Sequence, residues 1–225
     1  MTVSEWTLHE GDCLDILPSI RSGSVDAIIT DPPFFMPAEH YQATQSWGRK
    51  WSDTSVMLAW YRQVITEMRR IVKPSGHVLT FCDRTSYAVF LPPTFERFSK
   101  IDCLVWDKGR PGMGNPWRHQ TELILAACDS NAYKVGGGGG VDILRVPPTN
   151  GADREHPVEK PRELLAALVR ATCPKGGLVL DPFAGSGTTL EAAVMEGCEA
   201  IGIEMSADYC EIIRRRMQHI QEVLL

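Results

Sequence analysis

Near the end of the sequence stands the stretch Leu178-Val179-Leu180-Asp181-Pro182-Phe183-Ala184-Gly185-Ser186-Gly187-Thr188-Thr189. It opens with apolar residues, as at the end of a buried parallel strand, and the carboxylate of Asp181 follows. Gly185 and Gly187 let the backbone turn sharply and approach a ligand closely, because neither has a Cβ. A helix is expected to start near Thr188, with its first N–H groups unpaired. The stretch therefore predicts the strand–turn–helix of a nucleotide site in an α/β fold.

Three kinds of nucleotide site are compatible with such a turn. A phosphate-binding P-loop would need a Lys after Gly187, and a dinucleotide fingerprint would need Gly or Ala in place of Leu190. In the third, Asp181 faces a cationic cofactor that carries a ribose. The next apolar strand, residues 200–203, supports this third interpretation because it ends in Glu204, where a ribose diol would be held. A plain buried turn with a surface Glu is the alternative.

Composition narrows the class of protein. The chain has 225 residues, 44% of them hydrophobic and 23% charged, which is typical of one large globular domain or two small ones. It contains no apolar run of membrane-spanning length and no basic-then-apolar signal at its start, so we expect a cytoplasmic protein without a membrane partner. Seven cysteines without a C-x-x-C pair argue against disulfides and against a zinc site. The net charge of −5 means that any surface for nucleic acid must be local.

A second motif, Asp31-Pro32-Pro33-Phe34, follows the apolar strand 25–30. The prolines stop the strand, since neither has an N–H to donate, and they stiffen the backbone. Asp31 and the Pro32 carbonyl can accept the two N–H groups of an exocyclic amine on a nucleobase, and Phe34 can stack on its ring. The motif therefore indicates a base site, although a strand end with a Pro-Pro turn and a buried Phe would have the same sequence.

Asp12 follows a short strand that starts near Trp6. At that position it can contact a ligand, because open α/β sheets bind ligands at the carboxyl ends of their strands. It can equally cap the short helix expected over 13–17. The residues themselves leave both roles open.

Two loops without periodicity combine positive charge with aromatic rings. Residues 36–53 contain Arg49 and Lys50 between Trp47 and Trp51. A glycine-rich loop, residues 107–119, supplies three more candidates for phosphate contacts: Lys108, Arg110 and Arg118. Basic and aromatic residues together favour a surface that binds nucleic acid, and a solvated charged loop is the alternative.

The rest of the pattern predicts one α/β domain with a mostly parallel sheet flanked by helices. Seven strands are expected, near residues 6, 25, 77, 101, 121, 178 and 200. Apolar residues at helical spacing predict helices over 55–72, from 161 and from 206. Arg214 to Arg216 are expected on a solvated face of the last helix.

The two motifs, in this order, resemble the β class of DNA amino methyltransferases, in which the catalytic half precedes the cofactor half. Here the catalytic half is expected over about 1–128, a short glycine-rich insert over 129–155 and the cofactor half over 156–225. Further segments similar to the family are Gly11-Asp12, Trp106-Asp107-Lys108 with Glu122, and His156-Pro157 with Lys160-Pro161. The resemblance implies a Rossmann-like methyltransferase fold with seven strands.

The resemblance also implies S-adenosylmethionine as cofactor, no metal, double-stranded DNA as substrate and a possible homodimer. By position, Glu204 would hold the ribose, Asp12 the adenine amino group, and Lys160 would lie near the amino-acid end of the cofactor. The methionine part would be cradled by Asp181, Phe183, Ala184, Gly185, Ser186, Gly187 and Thr188. Asp31, Pro32, Pro33 and Phe34 would hold a base flipped out of the duplex.

An Asp at position 31 is more similar to the adenine-N6 enzymes than to the cytosine-N4 group, which more often has Ser there. Three features depart from the family: Phe34 replaces the commoner Tyr, Val158 stands where Thr is frequent, and the insert is too short for a sizeable recognition domain. Other functions remain open at this point, namely cytosine-N4 methylation, methylation of RNA or a small amine, and an inactive cofactor-binding partner subunit.

Overall fold

The computed structural model describes residues 4–35, 52–112, 114, 116–133, 140–149 and 159–224. One mixed sheet contains its eight strands, β1 to β8, in the order β1-β8-β7-β2-β3-β5-β4-β6. β5 runs antiparallel to its neighbours β3 and β4, and every other neighbouring pair is parallel. The prediction of an α/β fold with a mostly parallel sheet is confirmed.

The helices and strands alternate along most of the chain. Their bounds are β1 Trp6–Glu10, α1 Cys13–Ile16, β2 Val25–Thr30, α2 Thr54–Ile71, β3 Val72–Cys82, α3 Arg84–Phe95, β4 Lys100–Asp107, β5 Thr121–Cys128, β6 Ile143–Arg145, α4 Arg162–Thr172, β7 Leu178–Asp181, α5 Thr188–Met195, β8 Glu199–Glu204 and α6 Ala207–Leu224. A short 3-10 turn over Leu17–Ser19 follows α1.

The core lies on both faces of the sheet. β2 is buried along its whole length, and from Ala27 onward its side chains alternate between the faces, with Ala27 and Ile29 on one face and Ile28 on the other. An irregularity in the pairing with β3 between Val25 and Ala27 places Val25 on the same face as Ile28. Helices α4, α5 and α6 cover the first face, and α1, α2 and α3 cover the second. This burial on both sides explains the nearly continuous apolar sequence of β2.

Two elements differ from the sequence prediction. The sheet has eight strands rather than seven, because Ile143–Arg145 pairs with β4 inside the stretch predicted to be an insert. A three-residue edge strand is too short to show a period of two. Helix α3 was not predicted, and it contains Pro92 and Pro93 near its end, where prolines ordinarily argue against a helix.

The strand order reverses between β2 and β7. The chain continues from β2 to its neighbour β3 on one side and from β7 to its neighbour β8 on the other. In open α/β sheets, a crevice forms at the carboxyl ends of two strands that diverge in this way, and ligands bind there. The two sequence motifs, Asp31–Phe34 and Asp181–Thr188, start at these two strand ends. Among the described residues, no helix is long and apolar enough to cross a bilayer.

Candidate active site

The carboxyl ends of β2 and β7 are joined by a buried hydrogen bond. The hydroxyl of Thr30, the last residue of β2, donates to Asp181 Oδ1 over 2.7 Å. The same Asp181 oxygen accepts the backbone N–H of Phe183 at 3.1 Å, which fixes the start of the glycine turn. Burial raises the pKa of Asp181 to about 6, although the hydrogen bonds from Thr30, Thr189 and Phe183 act in the opposite direction.

The glycine turn has the backbone that the sequence predicted. Gly185 and Gly187 both have positive φ, +53° and +84°, which side chains with a Cβ rarely adopt. A Cβ at Gly187 would stand 2.9 Å from Ile213 Cγ1, so this glycine is required by packing against α6. A Cβ at Gly185 would have no atom of the described residues within 4 Å, apart from the adjacent chain. The turn thus has one side packed on the protein and one side open.

Glu204, at the end of β8, lies beside the glycine turn. Its two carboxylate oxygens accept the backbone N–H groups of Gly185 and Ser206, each at 2.8 Å. Burial raises its pKa. The Gly11 N–H donates to the Glu204 carbonyl at 2.9 Å, which places the end of β1 beside it. Asp12 caps α1 by accepting the Leu14 N–H at 2.9 Å, so the structural alternative for Asp12 is observed, and its role toward adenine stays a prediction.

On the other side of the crevice, Asp31 forms an ion pair with Lys160, whose ammonium lies 2.6 Å from Asp31 Oδ2. The second oxygen, Oδ1, is buried and has no hydrogen-bond partner among the described residues. No hydrogen bond from these residues reaches the Pro32 carbonyl either. Buried polar atoms in native proteins almost always have partners, so the unpaired Asp31 Oδ1 indicates a ligand that donates a hydrogen bond to it, and the Pro32 carbonyl is a second acceptor next to it in the chain.

The ion pair belongs to a chain of four alternating charges. Lys160, only 7% exposed, also lies 3.2 Å from Glu122 Oε2. The other Glu122 oxygen accepts from the Lys108 ammonium at 2.6 Å. The order in space is therefore Lys108, Glu122, Lys160 and Asp31, and these charges sum to zero.

The neighbouring charges control how these groups ionise. Burial raises the pKa of Asp31, and the Lys160 ammonium counteracts part of this effect. Burial acts in the same direction on Glu122, but Lys160 and Lys108 outweigh it and hold the Glu122 pKa below its usual value. Burial disfavours the charge of Lys160, yet Asp31 and Glu122 together raise its pKa. The sequence prediction placed Lys160 near the cofactor's amino-acid end; that stays a prediction, and the contacts observed are those with the two carboxylates.

Aromatic rings lie beside the Asp31–Lys160 ion pair at the carboxyl end of β2. Phe34 packs partly buried against the core, and its ring centroid is 5.2 Å from the Lys160 ammonium. The next residue, Phe35, packs on the opposite face of the sheet, and its N–H donates to the buried hydroxyl of Ser86 at 2.9 Å. These two anchors hold the Asp31–Phe34 segment between the two halves of the core.

The structure distinguishes the five basic residues predicted to contact DNA. Arg49 and Lys50 lie outside the described residues. Lys108 is paired with Glu122. Arg118 donates to the carbonyls of Gly112 and Pro111, within its own loop. Arg110 is exposed and has no ion pair or hydrogen bond among the described residues, and the neighbouring Trp117 is 79% exposed.

A second buried ion pair, between Glu159 and Arg216 at 2.7 Å, was missed by the sequence analysis. Arg216 is 11% exposed, so it is not on a solvated face as expected. Glu159 and Arg216 both contact the Thr188 hydroxyl, at 3.0 and 2.6 Å. The pair therefore fixes the start of α5 against α6 and the segment before α4. Adjacent Arg residues in one helical run gave no sequence signal for this difference.

The chain is similar to known DNA methyltransferases over almost its whole length. A family model described as DNA methylase, N6_N4_Mtase, matches residues 25–215. The type II methyltransferase M2.MboI of Moraxella bovis is 25% identical over 97% of this chain and 90% of its own. The DNA adenine methyltransferase YhdJ of Escherichia coli (strain K12) is 24% identical over 94% of this chain and 82% of its own.

A solved structure, the cytosine-N4-specific PvuII DNA methyltransferase, has the same fold with a TM-score of 0.76. It is 17% identical and covers 99% of this chain and 92% of that chain. Because the family model spans most of the sequence, including both strand-end motifs, the chain belongs to the N6_N4_Mtase family of DNA methylases, the β-class amino methyltransferases, and its cofactor is S-adenosylmethionine.

Proposed function

We propose that this protein methylates the N6 amino group of adenine in double-stranded DNA, acting on a base flipped out of the duplex. One observation carries the proposal: two acceptors that have no hydrogen-bond partner among the described residues, Asp31 Oδ1 and the Pro32 carbonyl, follow each other at the carboxyl end of β2. An exocyclic amine has two N–H donors to match them. A base inside a duplex cannot reach this crevice, so it must leave the stack.

The residues fit the cofactor. As far as the described residues show, a Cβ at Gly185 would meet no other side chain or backbone, and the Glu204 carboxylate accepts the Gly185 N–H. We assign Asp181 and the turn Phe183–Thr188 to the methionine part and Glu204 to the ribose. Asp12 and Lys160 are the further candidates for cofactor contacts. When bound, S-adenosylmethionine supplies an electrophilic methyl group on a sulfonium.

The residues of the β2 end then activate and place the acceptor. The lone pair of an exocyclic amine is delocalised into the ring, so the amine is a poor nucleophile. Hydrogen bonds from its N–H groups to Asp31 and Pro32 favour a more tetrahedral nitrogen whose lone pair is localised. The nitrogen that gains a methyl group must lose a proton, and Asp31 Oδ1 is the base in contact with it. Phe34 stacks on the ring and fixes its plane, so the catalysis is mainly positioning.

Adenine is preferred to cytosine on two grounds. Asp31 is the residue that resembles the adenine-N6 enzymes, and YhdJ is named as a DNA adenine methyltransferase. Cytosine N4 is the second candidate, because its amino group offers the same two donors and the PvuII enzyme with the same fold is cytosine-N4-specific. The intact Asp31–Phe34 motif argues against an inactive partner subunit. A homodimer and a cytoplasmic location stay predictions.

Nucleoside mass spectrometry tests the proposal. The protein is incubated with labelled S-adenosylmethionine and unmethylated genomic DNA, and the DNA is then digested to nucleosides. We expect N6-methyladenine. N4-methylcytosine would overturn the choice of base and leave the chemistry intact. If no methylated base forms while the cofactor still binds in calorimetry, DNA methylation by this chain alone is excluded.

A further inference from the structure

We infer that Lys160 and Glu122 are positioning residues for methyl transfer: Lys160 fixes Asp31 with one oxygen turned to the substrate amine, and Glu122 fixes Lys160. The inference rests on the proposed function and adds two residues to it. It starts from the difference between the two oxygens of the Asp31 carboxylate. Oδ2 is 2.6 Å from the Lys160 ammonium, whereas Oδ1 has no partner among the described residues.

The contact determines which way the carboxylate faces. A carboxylate has two equivalent oxygens, and rotation about its last bond exchanges them unless one is held. Lys160 is buried, and its ammonium lies 5.2 and 5.1 Å from the ring centroids of Phe34 and Phe81. An ammonium confined in this way anchors Oδ2, and Oδ1 is left for the amine.

Glu122 provides a second carboxylate for the buried Lys160 ammonium. Glu122 comes from β5, one strand beyond β3, and contacts Lys160 at 3.2 Å and Lys108 at 2.6 Å. The ammonium of Lys160 is therefore fixed from two directions. Buried ion pairs are stable only where their remaining hydrogen-bonding groups also have partners. Two oxygens of the chain have no hydrogen bond among the described residues: Glu122 Oε2, which lies at ion-pair distance from Lys160, and Asp31 Oδ1, which faces the ligand side.

The chain also adjusts the charge of Asp31. The titratable groups that face Asp31 are Lys160, Glu122, Lys108, Asp181 and Cys82. Lys160 favours the ionised carboxylate that must accept N–H groups, and Glu122 opposes it. Removing Lys160 should therefore raise the pKa of Asp31, and removing Glu122 should lower it. A side chain that only supports the fold would not produce this pattern.

The test compares Lys160→Met with Glu122→Gln. In Lys160→Met, methylation at saturating DNA and cofactor should require higher pH, with the acid limb of kcat moved up by about 1 to 3 pH units, the usual effect of an opposite charge in contact. In Glu122→Gln the acid limb should move down, by about half a unit. Asp181 also titrates, but it is unchanged in both variants, so the differences report Asp31.

Lys73→Met is the matched control. Lys73 also pairs with a buried aspartate on β2, Asp26, at 2.7 Å, but near the other end of that strand. The Lys73→Met substitution should lower the melting temperature without moving the acid limb of kcat. If Lys160→Met leaves the acid limb unmoved, if both site variants shift it in one direction, or if Lys73→Met shifts it equally, the inference is overturned.

A second readout works without activity. The carboxyl carbon of Asp31 is followed by ¹³C NMR against pH in the cofactor-free protein and identified by its loss in Asp31→Asn. Its midpoint should rise in Lys160→Met and fall in Glu122→Gln. An inactive wild-type protein whose Asp31 midpoint responds in this way would overturn the proposed function but support the charge chain, whereas an active wild type with unresponsive midpoints would overturn only the positioning role.

Discussion

The ends of β2 and β7 lie side by side and each carries an aspartate, Asp31 just after β2 and the buried Asp181 at the end of β7, and yet they are built differently. At β7, Asp181 Oδ1 accepts two donors and the nearby Glu204 accepts two backbone N–H groups. At β2, one oxygen of Asp31 is held by Lys160, and the other has no partner among the described residues. The first is a satisfied scaffold that shapes the backbone, and the second is an incomplete hydrogen-bonding site.

The difference shows how one sheet edge can serve two tasks. A cofactor that binds and leaves in every turnover needs a preformed cradle, so the polar groups of the β7 turn are used to fix its shape. An amine that must be deformed needs acceptors that stay unsatisfied until it arrives, because their hydrogen bonds then act on the substrate. The hydrogen bond from Thr30 to Asp181 joins the ends of the two strands directly.

Replacing Asp31 should have the largest effect. In Asp31→Ala, kcat for methylation should fall by about 10²- to 10⁴-fold, as when a positioned acid–base group is removed. The dissociation constant for S-adenosylmethionine should change little, because the β7 turn is intact. Labelled methyl transfer and calorimetry measure the two quantities. Activity near that of the wild type would remove Asp31 from the mechanism.

The sequence was sufficient to predict this contrast in outline. Turn glycines and carboxylates at strand ends are local signals in a sequence. They were sufficient to predict the glycine turn with Gly185 and Gly187, the strand-end Asp181 and the Asp31–Phe34 motif. The sequence could not pair Asp31 with Lys160, which is 129 positions away. Nor could it separate Arg216, buried against Glu159, from the exposed Arg214 in the same run. Such pairings depend on the strand order and on which helix face meets the sheet.

Replacing Asp181 should have the next largest effect, and this effect is on the free energy of unfolding. Its pKa of about 6 lies above the ordinary 3.8, because burial disfavours the charged form. Below about pH 3 the group is neutral in both the folded and the unfolded state, and its contribution to stability is then fully present. As the pH rises from about 4 to 6, the carboxyl ionises in the unfolded state while it stays protonated in the folded state, so stability falls by about 3 kcal/mol for two pKa units and is constant above that range. Asp181→Asn should therefore gain stability relative to the wild type by about that amount between pH 4 and 7.

Urea unfolding of both proteins at several pH values checks this, and the difference between them cancels the titration of other groups. A constant difference across the range would mean that Asp181 is not desolvated. Asp31→Asn is an informative companion, since its carboxylate has a counter-ion and its stability difference should vary less with pH.

Two glycines of the turn offer a smaller effect and a built-in control. Gly187→Ala should destabilise the protein by about 1 to 2 kcal/mol from its left-handed backbone alone, and by more because the new methyl group meets Ile213 at 2.9 Å. Gly185→Ala is expected to carry only the backbone cost, since its Cβ would meet no atom within 4 Å in the described parts of the chain. If the open space is the cofactor cradle, Gly185→Ala should nevertheless weaken S-adenosylmethionine binding about tenfold. Thermal melts and calorimetry measure these effects, and unchanged affinity in Gly185→Ala would place the cofactor elsewhere.

The smallest effect concerns DNA binding. One loop contains both an arginine whose guanidinium is hydrogen-bonded within the protein and an arginine without such a bond among the described residues. Arg118 donates to the carbonyls of Pro111 and Gly112, while Arg110 has no such contact among the described residues. An Arg that neutralises one phosphate releases about one counter-ion, so Arg110→Ala should lower the slope of log affinity against log salt by about one without changing the melting temperature. Arg118→Ala should weaken binding mainly by loosening the loop, with a smaller change in slope. Fluorescence anisotropy of a labelled duplex over a salt series measures both slopes, and equal losses of slope in the two variants would mean that Arg118 leaves its loop carbonyls to bind a phosphate.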